Sequence, residues 1–206
     1  MLSQKPLPFA ADGLDGISEK TLLIHHDKLY AGYVAKALEI SDALRDFSRG
    51  KKDLSSTNQT FSDLRALKDA EVFARNGSYL HETYFASLAS DASAPVGELV
   101  EALVARYESL ENFLTYFSAC GMASRGWTVL GWDTYEGTLR IMNADAHHLG
   151  GTWGMIPLLV LDVYEHAYFA DYGADRKSYI VAFLKHLDWT SANKRYLAAR
   201  NWIIPA

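Results

Sequence analysis

The chain has 206 residues, 49% of them hydrophobic, and a formal net charge of −5, which is enough apolar chain for one compact unit or two small lobes sharing an interface. The acidic balance gives no basic footprint for nucleic acid, and the longest apolar runs fall far short of a membrane span, so a small-molecule role is expected. A single cysteine, Cys120, excludes an internal disulfide and a thiolate cluster; a metal would have to be held by histidine and carboxylate.

The first twenty residues, MLSQKPLPFAADGLDGISEK, are interrupted by Pro6, Pro8 and several charges. They do not read as an export signal, and cytoplasmic residence is the expectation. Ser18 and Glu19 then open a long stretch in which Leu22, Leu29, Tyr33, Ala37, Leu44 and Phe47 recur at roughly helical spacing. A polar connection from Gly50 to Thr60 follows, and helical periodicity resumes through Leu64, Leu67, Phe73, Leu80, Tyr84 and Leu88. These two segments predict a helical hairpin.

The segment SDASAPVG is the best candidate linker. It places a boundary near Ala92, with an N-terminal helical-hairpin domain over 1–91 and a C-terminal α/β domain over 92–206. Beyond it comes an amphipathic helix, VGELVEALVARYESLENFLTYFSACG. The texture then changes to WTVLGW, a turn over 133–137, and TLRIM, a strand hairpin. The leucine-rich run from Pro157 to Val163 predicts a third strand, and two more helices close the chain. The fold class expected is α+β, with a small three-stranded antiparallel sheet in the second lobe.

Asp162 and His166 stand four residues apart at the end of the third strand candidate, in DVYEH. A carboxylate at a strand end and an imidazole in the next turn can converge on one point, and both suit iron or manganese. His25 shares a helix face with Leu29 and Tyr33, and His81 shares one with Phe73, Gly77, Tyr84, Phe85 and Leu88. Taken singly, these histidines fit either a metal site or a hydrogen-bonded core.

In its order and surroundings the chain resembles the iron/manganese superoxide dismutases, from LPFAADGL through IHHDK, HETYF, GWTVL and MIPLLVLDVYEHAYF to DWTSANKRY. The resemblance implies one Mn or Fe ion per subunit, bound by His25, His81, Asp162 and His166. It implies an oxidoreductase that converts superoxide to dioxygen and hydrogen peroxide by alternating trivalent and divalent metal. It also implies a homodimer, with pairing into tetramers left open. Tyr33 matches the family's gateway tyrosine, Trp127 a tryptophan that walls the pocket, Arg176 a funnel arginine, and Glu165 a residue that reaches across the dimer to a ligand histidine.

The chain departs from the family pattern at several positions. Leu29 stands where most relatives carry a second gateway histidine, and Phe169 where they carry the tyrosine that bonds to it across the interface. Losing both polar partners together leaves neither unpaired and reads as a repacked interface. Tyr164 replaces the tryptophan of D-V-W-E-H, and Val129 stands where a second pocket tryptophan is frequent, which predicts a more open or wetter pocket. Gly77 stands four residues before His81, where many iron enzymes place a glutamine, leaving room for a side chain from elsewhere. In NADAHHLGG one residue of register decides between Ala146 and His147 as the group that meets solvent at the metal; His147 is favoured, with His148 in reserve. A second reading is a non-catalytic metal-binding protein that retains the fold. A third is a non-haem iron oxygenase, disfavoured because the third histidine uses a position such enzymes keep open.

Overall fold

The computed structural model describes residues 2–202 and 204. Ser18 starts the first helix, its hydroxyl accepting from the Thr21 amide as an N-cap. Helix α1 (Glu19–Ile24) runs without a break through a π-helical stretch, His25–Tyr30, into α2 (Ala31–Ser48). One plain α-helix is predicted here; the structure instead widens it, and the Ala31 amide reaches back to the His26 carbonyl. In an α-helix Tyr30 would lie about 140° around from His25. The π turn keeps His25, His26 and Tyr30 all buried, and such turns recur at functional sites.

Helix α3 (Asp63–Phe85) is capped by the Ser62 hydroxyl and packs back on α2. Ala37 and Ala74 are buried between the two helices with Ile40, small residues that let the axes approach. The periodicity continues to Leu88, but the helix ends at Phe85, and Leu88 instead bridges to Leu187.

Helices α4 (Glu98–Tyr107) and α5 (Leu110–Ala123) precede a three-stranded antiparallel sheet of order β2-β1-β3, formed by β1 (Trp127–Asp133), β2 (Thr138–Ala144) and β3 (Met155–Asp162). Every residue of the central strand β1 is buried. Its register sets Trp127 opposite both Ala144 and Asp162. The ends of all three strands and the loop after Ala144 therefore meet at one edge. A register shift at Leu130/Gly131 lies beside Pro157, which has no amide to give to the ladder.

A 3-10 turn (Glu165–Ala167) and α6 (Phe169–Tyr172) lead to α7 (Arg176–Lys185) and α8 (Trp189–Ala199), the last two capped by Asp175 and Asp188. Helix α3 is tied to β3 at its C-terminal end. The Val160 amide donates to the Ser87 hydroxyl at 3.2 Å. Arg195, from α8, donates to the Leu158 carbonyl at 2.7 Å and to the Ala86 carbonyl at 3.1 Å. These bonds fix the element bearing His81 against the strand bearing Asp162. No helix among the described residues is long and apolar enough to cross a membrane.

Candidate metal centre

His25 comes from the π turn, His81 from α3, Asp162 from the end of β3 and His166 from the turn beyond it. One donor atom from each lies within 4.8 Å of all the others. The Nε2 atoms of His25 and His166 are each 3.1 Å from Asp162 Oδ2, and that of His81 is 3.7 Å away. With ligand bonds of about 2 Å, an ion spans such a set. His25, His81 and Asp162 are fully buried, and His166 keeps 26% of its side chain exposed.

His81 tests whether a metal fits. Its Nδ1 donates to the Gly77 carbonyl at 2.5 Å, so in the neutral ring Nε2 carries a lone pair. That nitrogen is buried with no hydrogen-bond partner among the described residues, and it faces a carboxylate oxygen. Lone pair against anion is unfavourable unless a cation lies between them. The donor set, three imidazoles and one carboxylate, suits iron or manganese.

The ionisation states prepare the same site. Burial pushes His81 down to about 3 and also lowers His25, against the pull of Asp162. For Asp162, burial alone would raise the pKa, but the charge of His166 and hydrogen bonds with His166 and His25 hold it well below the usual carboxylate range. His166 is raised: burial is the largest influence and lowers it, but the charge of Asp162 and the hydrogen bond to it together outweigh burial. The cluster thus presents an anion to imidazoles, two of which are held neutral.

The other residues singled out from sequence fall into two groups. Tyr33, Trp127 and His147 surround the cluster. Tyr33 stacks on His81 with centroids 5.1 Å apart, and His147 meets the Tyr33 ring edge-on at 4.6 Å. Trp127 stands edge-on to His81 at 4.9 Å. Its indole nitrogen donates to His147 Nδ1 at 2.9 Å, and since indole is only a donor, the His147 proton resides on Nε2. Burial lowers His147 to about 4, so the ring is neutral. The space left by Gly77 is taken by Tyr33: a Cβ there would come within 2.7 Å of the Tyr33 ring. His148 points elsewhere, toward Asp69 at 3.9 Å and Phe73.

Arg176 and Glu165 lie farther out. Arg176 donates to the Ser124 carbonyl at 2.6 Å and to the Tyr168 hydroxyl at 3.2 Å. Glu165 is exposed, next to His166, with no side-chain partner among the described residues. Phe169, on the same segment, is 54% exposed. Tyr164 stacks on His166 at 5.3 Å and reaches within 5.2 Å of His147. The sequence places Tyr84 on the inward face with His81 but assigns no role to it or to Tyr179.

A helical hairpin joined to an α/β lobe, with three imidazoles and a carboxylate converging between them, defines a mononuclear metalloprotein. Comparison with known proteins agrees. The family model for "Iron/manganese superoxide dismutases, C-terminal domain" matches residues 95–195. Superoxide dismutase (Fe) of Aquifex aeolicus is 40% identical over 187 residues, covering 89% of this chain and 85% of the relative. Superoxide dismutase (Mn) 1 of Halobacterium salinarum is 35% identical over 193 residues, 93% of this chain and 92% of the relative. Superoxide dismutase (Fe) of Cupriavidus metallidurans is 34% identical over 205 residues, 97% and 98% of the two chains. The chain belongs to the iron/manganese superoxide dismutase family.

Proposed function

We propose that this chain is a superoxide dismutase that converts superoxide to dioxygen and hydrogen peroxide, with one iron or manganese ion held by His25, His81, Asp162 and His166. The observation that carries the reading is the convergence of three imidazole Nε2 atoms on Asp162 Oδ2, with the His81 lone pair buried and unpartnered. Family membership and relatives named as iron and manganese superoxide dismutases support it.

When bound, the metal supplies one-electron chemistry by alternating between trivalent and divalent states. The protein's part is orientation, exclusion and proton supply. Asp162 is an anion throughout the neutral range and accepts hydrogen bonds from whatever small hydrogen-bearing species enters. His147, locked by Trp127, offers Nε2–H as a donor to an incoming anion. Tyr33 stands at the mouth; burial and the Asp162 charge raise its pKa, so its hydroxyl keeps the proton it can relay. Arg176, held by the Ser124 carbonyl and the Tyr168 hydroxyl, would add positive charge to the approach of an anion in an acidic chain.

The proposal includes a homodimer. The outer nitrogen of His166 has no hydrogen bond among the described residues, and Glu165 stands exposed beside it. A second copy bringing its own Glu165 would meet both needs, with Phe169 and Leu29 packing at the seam. We further place the domain boundary near Ala92, between α3 and α4, and the protein in the cytoplasm, where its one cysteine would stay reduced.

The test is metal content and superoxide dismutation, measured on protein reconstituted separately with manganese and with iron, beside a His81→Ala variant. About one metal per subunit, with dismutation lost in the variant, is the expected result. Bound metal without dismutation in either form would overturn the reading in favour of a non-catalytic metal-binding protein.

A further inference from the structure

Two fully buried phenols stand behind the metal cluster, Tyr84 from α3 and Tyr179 from α7. Their hydroxyls are 3.2 Å apart. The Tyr179 hydroxyl donates to the main-chain carbonyl of Asp162 at 2.8 Å. Its single proton is thereby used, so Tyr84 is the donor within the pair, and the order runs from Tyr84 to Tyr179 to Asp162. Asp162 is the last residue of β3, and the Val163 amide, bonded to the Gly126 carbonyl in the same register, closes the pairing before the chain enters the Glu165–Ala167 turn. A phenol from another helix thus takes hold of the strand where regular pairing ends.

The other end of this pair touches His25. The Tyr84 ring lies against the imidazole with centroids 5.0 Å apart and planes inclined by 35°. A metal-ligating histidine ordinarily has its outer ring nitrogen fixed by an acceptor, as His81 has the Gly77 carbonyl. His25 Nδ1 is buried with no hydrogen-bond partner among the described residues. Packing therefore sets the orientation of that ring, and Tyr84 and Phe85 supply two of its walls.

We propose that Tyr179 is a positioning residue of the metal site: its bond to the Asp162 carbonyl, ordered by Tyr84, aims the carboxylate at the three imidazoles. Tyr84 has a double task, orienting Tyr179 through its hydroxyl and His25 through its ring. The inference rests on the reading of His25, His81, Asp162 and His166 as the ligands. Neither phenol touches the reacting atoms, so both act through the residues they hold.

The experiment compares Tyr179→Phe, Tyr84→Phe and the double variant with the wild type, each loaded with manganese or iron. Both substitutions keep the ring and remove only the hydroxyl. Three quantities are read: the rate at which a chelator strips the metal, the visible absorption and paramagnetic resonance of the loaded protein, and the melting temperature of the metal-free protein. Tyr179→Phe is expected to speed metal loss by about 10-fold or more and to shift the spectra. Tyr84→Phe should act in the same direction but more weakly, and the double variant should match Tyr179→Phe, because the Tyr84 hydroxyl works through Tyr179. Variants that melt lower without metal yet keep wild-type metal release and spectra would overturn the inference and reduce the pair to core packing. A Tyr84→Phe effect undiminished in the Tyr179→Phe background would overturn the proposed order. A wild type that takes up no metal would instead overturn the ligand reading itself, a failure visible before any variant is made. Should Tyr179→Phe fail to fold, metal release and spectra of Tyr84→Phe, which keeps the ring against His25, decide between the same two outcomes.

Discussion

The Trp127 indole nitrogen donates to His147 Nδ1 at 2.9 Å, across 20 residues of sequence. This bond joins the start of β1 to the loop after β2 and selects one tautomer of a buried histidine. Trp127→Phe keeps the aromatic wall and removes the donor. Dismutation should fall by about tenfold or more at unchanged metal content, and the imidazole nitrogen resonances of His147 should show a mixture of tautomers. His148→Ala is the matched control and should leave turnover at the wild-type level.

Metal uptake by the metal-free protein should depend on pH through His166. Its folded pKa is raised above 6.5: burial lowers it, but the charge of Asp162 and the hydrogen bond to it together prevail. Below that raised value a proton occupies the nitrogen a metal needs, so affinity should drop by about tenfold per pH unit for the single proton displaced. His81, at about 3, should not compete until far lower pH, and burial shifts His25 in the same direction. Calorimetric titration in buffers of different ionisation enthalpy would count the proton released, and uptake flat from pH 5 to 8 would refute the assignment. The same shift gives the metal-free fold a stabilising term that is full below 6.5 and lost as pH rises through the folded value.

Gly77→Ala puts a methyl within 2.7 Å of the Tyr33 ring. Overpacking of this kind costs about 1–3 kcal/mol, and the ring has to leave its stack on His81. The variant should unfold at lower urea concentration, and the pH profile of dismutation should change because Tyr33 has moved. An unaltered profile would show that the Tyr33 position does not matter to the reaction.

Arg195 is a half-buried cation whose pKa is lowered by burial to about 10. Its guanidinium satisfies the carbonyls of Ala86 and Leu158, so Arg195→Ala removes the donor from both, the Leu158 acceptor being buried. A loss of about 3 kcal/mol is expected from urea unfolding of the metal-loaded protein, with metal released earlier because α3 and β3 are no longer tied.

Phe169→Asp places a charge on a side chain that is 54% exposed in the single chain. If this face joins two copies, sedimentation should show the variant as a monomer while the wild type is a dimer. A variant that remains dimeric would place the interface elsewhere.

Spacing and residue type alone determined much of this protein. The apolar periodicities mark the hairpin and the later helices, the runs WTVLGW and TLRIM on either side of a turn mark a strand pair, and Asp162 with His166 gains meaning only from the resemblance of their surroundings to a known family, the spacing alone being a weak signal. Such signals are local, so they survive in a one-dimensional reading. Tertiary structure alone decided that His147 and not His148 lies against Tyr33 and Trp127, because strand register sets where the loop after Ala144 enters. It decided that the first helix widens at His25, since a π turn has no distinct side-chain period over six residues. It also decided that Tyr84 and Tyr179, 95 positions apart, share a hydrogen bond behind Asp162. Contacts between distant segments depend on how helices and strands pack, and no single stretch of the sequence carries that information.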